Sequence, residues 1–241
     1  MTIAGRPELK PNRLLAALEQ RDRKRLADHL EPVQLALGEV LNATRTPPRP
    51  CVCFPCGSIV SLLYETADGD TCEIAVVGNE GMVGLALVLG GGSRFVRAVV
   101  QSAGPAYRMD GDVLRREFRT GGAVQQLLLR YMQALLVQVS QTAVCNRHHS
   151  VEQQLCRWLL MSMDRIPSNR LEMTQELIAR MLGVRREGVT EAAGRLQRAG
   201  AIHYKRGCIE LLDRHKLESM ACECYGVVRL EFARLLPWKA G

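Results

Sequence analysis

The chain has 241 residues, 47% of them apolar and 24% charged, so it is neither a disordered tail nor a fibrous protein. Aromatic residues make up only 5%, which argues against the stacking platforms used by proteins that bind single-stranded nucleic acid. The net charge of +7 suggests a polyanionic partner.

The first part of the chain predicts a helix followed by a β domain. Residues 10–31 have leucines at helical spacing among charged residues, which is typical of an amphipathic helix. From Pro32 to about Met109, short apolar segments alternate with glycines, and this pattern predicts a small all-β barrel or sandwich. Residues 67–70 (Ala-Asp-Gly-Asp) predict a hairpin turn, and the proline-rich residues 43–50 an exposed loop.

Residues 123–147 contain no proline or glycine and predict a long helix that is apolar over much of its circumference. Two overlapping stripes run along it, and we expect one to pack on the chain's own barrel and the other on a partner helix. The alternative to a dimerisation helix is that residues 123–147 form a core helix of a larger domain. The predicted homodimer interface follows the stripe formed by Leu128, Met132, Leu135, Val139 and Thr142. The second stripe is formed by Leu129, Met132, Leu136, Val139 and Ala143.

Residues 173–211 predict a winged helix-turn-helix. A further helix is expected over 151–164, ended by Pro167. Thr174 is a suitable N-cap for a helix over 175–182, Gly183 suits the left-handed turn after it, and a second helix is expected over 185–199. Residues 202–211 predict a strand, a basic turn and a second strand, which together form a wing.

The same region concentrates positive charge, because residues 165–206 include nine Arg or Lys and four Glu. The N-terminal end of the second helix enters the major groove in such motifs, so side chains there are candidates for contacts with base edges. These are Arg185, Arg186, Glu187, Thr190 and Glu191. Phosphate contacts are expected from Thr174, Gln175, Lys205 and Arg206.

The order of parts, and the sequence from Thr174 to Val189 in particular, resembles the CRP/FNR transcription regulators over about residues 14–215. The resemblance implies an α+β fold: an N-terminal β jelly-roll or double-stranded β-helix barrel (14–119), a dimerisation helix (120–147) and a C-terminal winged helix-turn-helix domain (148–235). It also implies a homodimer that binds palindromic double-stranded DNA and contacts RNA polymerase. Arg186 and Glu187 match the family's base-contacting pair, whereas Arg185 and Glu191 depart from its pattern.

In family members that bind a cyclic nucleotide, a glutamate takes the ribose hydroxyl and an arginine takes the phosphate. By this resemblance Glu80 is a candidate for the first role, and Arg94 or Arg97 for the second. Neither arginine is followed by the expected Ser or Thr, so we expect no cofactor and leave cyclic-nucleotide binding open. The alternative is that Glu80 and Arg97 are a structural ion pair.

The odd count of nine cysteines suggests free thiols in a reducing compartment. The apolar runs are too short to predict a membrane span, and the first residues do not predict a secretory signal. We therefore expect a cytoplasmic protein. Cys51, Cys53 and Cys56 invite a metal or iron–sulphur interpretation but lack a fourth ligand at a convincing spacing, so no metal ligand is predicted. Cys222 and Cys224 are expected to pack as apolar residues.

Cys145, His148 and His149 have no orienting acid, so we predict no catalytic residues and no enzyme activity; the two histidines are expected at a hinge. The leading hypothesis is a dimeric DNA-binding transcription regulator with a sensor barrel. Two alternatives stay open: a signalling module that holds a protein partner without binding DNA, and a redox- or metal-sensing regulator.

Overall fold

The computed structural model describes residues 11–41, 50–90 and 96–236. Most of the predicted 43–50 loop and the candidate effector residue Arg94 lie outside these ranges. Within the described ranges, no helix has the length and apolar character needed to cross a membrane.

Two short helices begin the described chain, where a single helix over 10–31 was predicted. They are α1 (Arg13–Ala16) and α2 (Gln20–Ala27). Glu19 between them has an extended backbone (ψ 156°), which ends one helix and starts the next, so the single-helix prediction is wrong. The leucines nevertheless form the predicted apolar face, because Leu14, Leu15, Leu18, Leu26 and Leu30 are all buried.

In the described residues from 31 to 110, the N-terminal domain has six strands and one short helix. They are β1 (Glu31–Leu35), β2 (Cys51–Pro55), β3 (Ile59–Glu65), β4 (Thr71–Val77), α3 (Leu85–Val88), β5 (Val96–Ser102) and β6 (Gly104–Asp110). They build two antiparallel sheets, in the orders β1-β6-β2 and β4-β3-β5. The predicted turn at 67–70 joins β3 to β4, and Gly69 has the positive φ (+88°) that it requires.

Two helices connect this domain to the C-terminal one: α4 (Gly111–Thr120) and the long α5 (Ala123–His148). One face of α5 is buried within the chain, and Leu128 and Thr142 lie on it with exposures of 3% and 7%. The prediction that these two residues face a partner is therefore wrong, because they lie on the face of α5 that packs against its own chain, together with Tyr131, Ala134 and Gln138. Met132, Leu135 and Val139 are half-buried.

Up to residue 236, where the described chain ends, the C-terminal domain contains five helices and three strands. They are α6 (Val151–Met163), β7 (Arg170–Glu172), α7 (Gln175–Leu182), α8 (Arg186–Arg198), β8 (Ile202–Lys205), β9 (Cys208–Leu211), α9 (Arg214–Met220) and α10 (Glu223–Leu235). The strands pair in the order β7-β9-β8. The predicted fold class, with a β domain, a long helix and a winged helix-turn-helix, is confirmed. Strand β7 was not predicted because three residues are too few to show alternation.

A buried polar network joins the second sheet to α6. Ser61 Oγ lies 2.5 Å from Glu73 Oε2 and 2.7 Å from Gln101 Oε1, and Gln101 Nε2 donates to Ser162 Oγ at 3.3 Å. The Ser61 hydroxyl has one hydrogen, which it donates either to the Glu73 carboxyl or to Gln101 Oε1. Burial raises the pKa of Glu73 from 4.5 to about 7, against the opposing effect of the Ser61 hydrogen bond.

This network makes stability depend on pH. The pKa of Glu73 is higher in the folded protein than in the unfolded chain, so the unfolded chain releases the Glu73 proton at a lower pH. The free energy of unfolding therefore falls as the pH rises from 4.5 to about 7. We expect Glu73→Gln to raise the free energy of unfolding at pH 8 by about 3 kcal/mol and to flatten this pH dependence.

Urea denaturation at pH 4.5 and at pH 8 measures both effects. Glu65→Gln is the matched control, because Glu65 is on the same sheet but is part of an exposed ion pair. Equal pH dependence in the Glu73→Gln variant and the wild-type protein would contradict the assignment.

Candidate nucleic-acid interface

The helix-turn-helix is set by local contacts that the sequence predicted. The Thr174 side chain accepts a hydrogen bond from the backbone N of Leu177 at 3.2 Å and so caps α7. Gly183 ends the helix in the left-handed conformation (φ +66°), and the backbone N of Val184 donates to Ala179 O at 3.0 Å. This tight turn fixes where α8 begins.

The inner face of α8 packs on the domain core, with Val189, Ala192, Ala193 and Leu196 all at most 4% exposed. Its outer face carries the five side chains predicted to lie near base edges. Arg185, Arg186, Glu187, Thr190 and Glu191 are all exposed. The unpaired backbone N–H groups at this end of α8 add partial positive charge to that of the arginines.

The wing is a tight hairpin with a basic tip. Arg206 (φ +50°) and Gly207 (φ +78°) both have left-handed backbones, as a two-residue turn between twisted strands requires. Two hydrogen bonds fix the wing in place: Gln197 Oε1 accepts from Tyr204 N at 2.8 Å, and the Tyr204 hydroxyl donates to Met173 O at 2.9 Å. Burial raises the pKa of Tyr204, so its hydroxyl stays protonated.

An open hollow of about 450 Å³ lies between the start of α7, the start of α8 and the wing. It brings together candidates for both kinds of DNA contact. Its lining includes Thr174, Gln175, Arg186, Tyr204 and Arg206. The Thr190 hydroxyl hydrogen is already used within the chain, because Thr190 Oγ1 lies 2.7 Å from Gln175 Oε1 and 3.0 Å from Arg186 O.

The candidate effector residues Glu80 and Arg97 each have an ion-pair partner in their own chain. Glu80 Oε1 accepts from Arg165 Nε at 2.8 Å, and both side chains are 7% exposed. Arg97 pairs with Glu65 at 3.0 Å between half-exposed side chains. The alternative that Glu80 and Arg97 pair with each other is therefore wrong. A cyclic nucleotide would have to compete with Arg165 for the Glu80 carboxylate.

Arg165 connects three parts of the molecule, and sequence reasoning did not single it out for this role. Besides Glu80, its guanidinium donates to Met161 O at 2.6 Å and to Gln138 Oε1 of α5 at 3.2 Å. Its stem lies so close to Gly78 that an added Cβ would come within 2.6 Å of it. The glycines of the 78–81 segment were the available signal, since a glycine often marks such a close approach.

The thiols of Cys53 and Cys56 are not activated. Burial raises the pKa of Cys53 to about 12 and that of Cys56 to about 11. Among the described residues, these two and Cys51 are not part of any group of converging metal-ligating side chains.

The buried ion pair yields a stability prediction. We expect Arg165→Met to lower the free energy of unfolding by about 3–5 kcal/mol, because it leaves the buried Glu80 carboxylate without a cationic partner. The double variant Glu80→Gln/Arg165→Met should recover part of this loss, since no buried charge is then left alone.

Urea denaturation at pH 7 measures each variant. Arg97→Met is the matched control, because the same substitution in a half-exposed ion pair should cost at most about 1 kcal/mol. Equal losses for Arg165→Met and Arg97→Met would show that the buried pair has no special role.

Comparisons with known proteins agree with this architecture. Residues 153–220 match the model of the Crp-like helix-turn-helix domain. A search of curated proteins finds no match.

Several solved structures share the fold. FixK2 from Bradyrhizobium japonicum is 17% identical, with a TM-score of 0.64 over 80% of this chain and 98% of that one. A CRP/FNR family transcriptional regulator from Thermus thermophilus is 20% identical, with a TM-score of 0.60 over 79% of this chain and 98% of that one. The chain therefore carries a Crp-like helix-turn-helix domain and shares the fold of solved structures of CRP/FNR family regulators.

Proposed function

We propose that the chain is a dimeric, sequence-specific DNA-binding transcription regulator whose N-terminal domain controls the C-terminal one. The observation that carries this proposal is the open hollow in which the exposed arginines at the start of α8 and at the wing tip converge. A module that held only a protein partner would have no need for an excess of five positive charges within residues 165–206.

Within this interface, Arg186 and Glu187 contact base edges, and Lys205 and Arg206 contact phosphates. Arg186 begins α8, and an arginine there suits the two acceptors of guanine, whereas Glu187 can accept from the amino group of cytosine. Lys205 and Arg206 lie at the wing tip, which suits contact with the DNA backbone. Arg185 and Glu191 are exposed beside them and would set how the half-site differs from that of other family members.

Arg186→Ala and Lys205→Ala should weaken DNA binding in different ways. The first should cost about 1–3 kcal/mol and relax the preference at one position of each half-site, because a base contact is lost. The second should weaken binding to all sequences and reduce the salt slope by about 1, because a phosphate contact is lost. Fluorescence anisotropy on a selected site and its point variants, across a salt series, measures both.

Arg198→Ala is the matched control for charge, since Arg198 is exposed at the opposite end of α8. If Arg186→Ala lowers affinity equally for every site variant, Arg186 only positions the helix. If no DNA is selected from a random pool, the alternative of a protein-binding signalling module gains support.

We propose that two chains pair through α5. An apolar stripe on this helix stays exposed, including Leu129 (36%), Leu136 (57%) and Val144 (43%). Leu129, Leu136 and the exposed Ala143 are seven residues apart, as in a coiled-coil seam. The half-buried Met132, Leu135 and Val139 flank this stripe and remain in the proposed interface. A two-fold dimer would bind a palindromic site with half-sites about one helical turn apart.

Leu136→Lys should weaken the dimer. A two-fold interface contains the change twice, so the loss of buried apolar area costs about 3 kcal/mol or more, or at least about a hundredfold in the dissociation constant. Sedimentation equilibrium measures it. Leu212→Lys is the matched control, because Leu212 is equally exposed (58%) but lies outside α5. An unchanged dimer in the Leu136→Lys variant would exclude this stripe.

The remaining parts of the proposal follow from this role. DNA and RNA polymerase are the expected partners, the location is cytoplasmic, and no enzyme activity is proposed. The Glu80–Arg165 ion pair offers a path for the signal, since Arg165 directly precedes the DNA-binding elements and also contacts α5 through Gln138.

A further inference from the structure

Three cysteines and one histidine that are distant in sequence converge where α5 meets α6 and α10. They are Cys145 near the end of α5, His149 just after it, Cys222 just before α10, and Cys224 in its first turn. The four candidate ligand atoms all lie within 4.8 Å of one another. The three cysteines are buried, and His149 is half-buried.

Two distances within this cluster match the edges of a tetrahedral metal site, and the other four are at most 4.8 Å. Cys145 Sγ lies 3.6 Å from Cys222 Sγ, which is too long for a disulfide, and Cys224 Sγ lies 3.6 Å from His149 Nδ1. Zinc binds thiolate at about 2.3 Å and imidazole at about 2.0–2.1 Å, and a tetrahedron with these bonds has edges of about 3.5–3.8 Å. The four ligand atoms are therefore close enough together to bind one ion after small side-chain adjustments.

The histidine is oriented as a metal ligand. Its Nδ1 faces the cysteines, and its Nε2 lies 3.3 Å from the Glu223 carboxylate. A carboxylate that accepts from the outer ring N–H leaves Nδ1 with its lone pair toward the cluster, as is usual for metal-bound histidine. Glu223 thus has a positioning role beside the cluster.

A buried arginine next to the cluster is an independent observation. Arg157 is 4% exposed, its Nε has no hydrogen-bond partner, and it forms no ion pair among the described residues. Its Nη1 donates to Thr142 Oγ1 at 3.1 Å, and its charge acts on Cys145 and Cys224 as well as on the buried Glu73 carboxyl. A divalent ion bound by three thiolates and one neutral imidazole carries a net charge of −1, which would balance the guanidinium.

We propose that Cys145, His149, Cys222 and Cys224 bind one Zn²⁺ ion per chain in a closed, tetrahedral structural site. Three sulphurs and one nitrogen with no open position are typical of structural zinc sites. The spacing argues against an iron–sulphur cluster, whose cysteines surround several metal atoms rather than one. The ion would fasten the start of α10 to the junction of α5 and α6, and so join the long helix to the DNA-binding domain.

The experiment measures metal in full-length protein purified without a metal-affinity tag. Elemental analysis should find one zinc per chain. After removal of zinc, Co²⁺ should give the visible spectrum of a tetrahedral ion with sulphur-to-metal charge-transfer bands. This spectrum is measured on the wild-type chain and does not depend on any variant being folded.

Variants then locate the ion. Cys224→Ser and Cys145→Ser should each abolish stoichiometric zinc, whereas Glu223→Gln should keep the site but lower the zinc affinity about 10–100-fold. Cys56→Ser is the matched control, a half-buried cysteine of the N-terminal domain that should leave the zinc content unchanged.

Four results would overturn the proposal: no zinc in the wild-type chain, a Cys145–Cys222 disulfide in its place, iron at stoichiometry, or zinc lost only in the Cys56→Ser variant. The DNA-binding measurements above do not depend on this outcome, so the two proposals fail separately.

Discussion

The buried ion pair between Glu80 and Arg165 is the contact on which the arrangement of the two domains depends. Two opposite charges that are each 7% exposed are costly to separate, because either one alone would be left without compensation in the interior. Glu80 belongs to a turn of the N-terminal domain, and Arg165 directly follows α6 of the other domain. The pair therefore helps to fix where the helix-turn-helix sits against the β domain.

Helix α5 is the second constraint, because it packs against both domains. The Tyr131 hydroxyl donates to Met82 O at 2.9 Å, and Gln138 Nε2 donates to Val76 O at 3.0 Å, so polar contacts fix its rotation on the β domain. Gln138 also accepts from Arg165. This rotation leaves Leu129 and Leu136 pointing away from the chain, where a second chain could cover them. A change in the β domain that turned α5 would move the proposed dimer stripe and Arg165 together.

The surface proposed to face DNA is held in place by local contacts. Thr174, Gly183 and the Arg206–Gly207 turn each fix a chain reversal within a few residues, and the bond between Tyr204 and Gln197 fixes the wing to α8. Charged side chains can then be exposed on a surface whose backbone does not need to rearrange. The proposed zinc site would add a comparable constraint at the start of α10, where the buried cysteines form a small cluster separate from the main hydrophobic core.

The sequence by itself determined the helix-turn-helix and its wing, because each element there is encoded by a cap, a glycine or an alternation over a short stretch of chain. The two-sheet domain and the long helix were also determined in outline, from glycine spacing and from the absence of helix breakers. Only the tertiary structure decided which face of α5 is buried, since apolar residues cover much of the circumference of this helix. It alone paired Glu80 with Arg165, which is 85 residues away, and Cys145 with Cys222, which is 77 residues away. Such contacts form between side chains that chain folding brings together, so no local pattern encodes them.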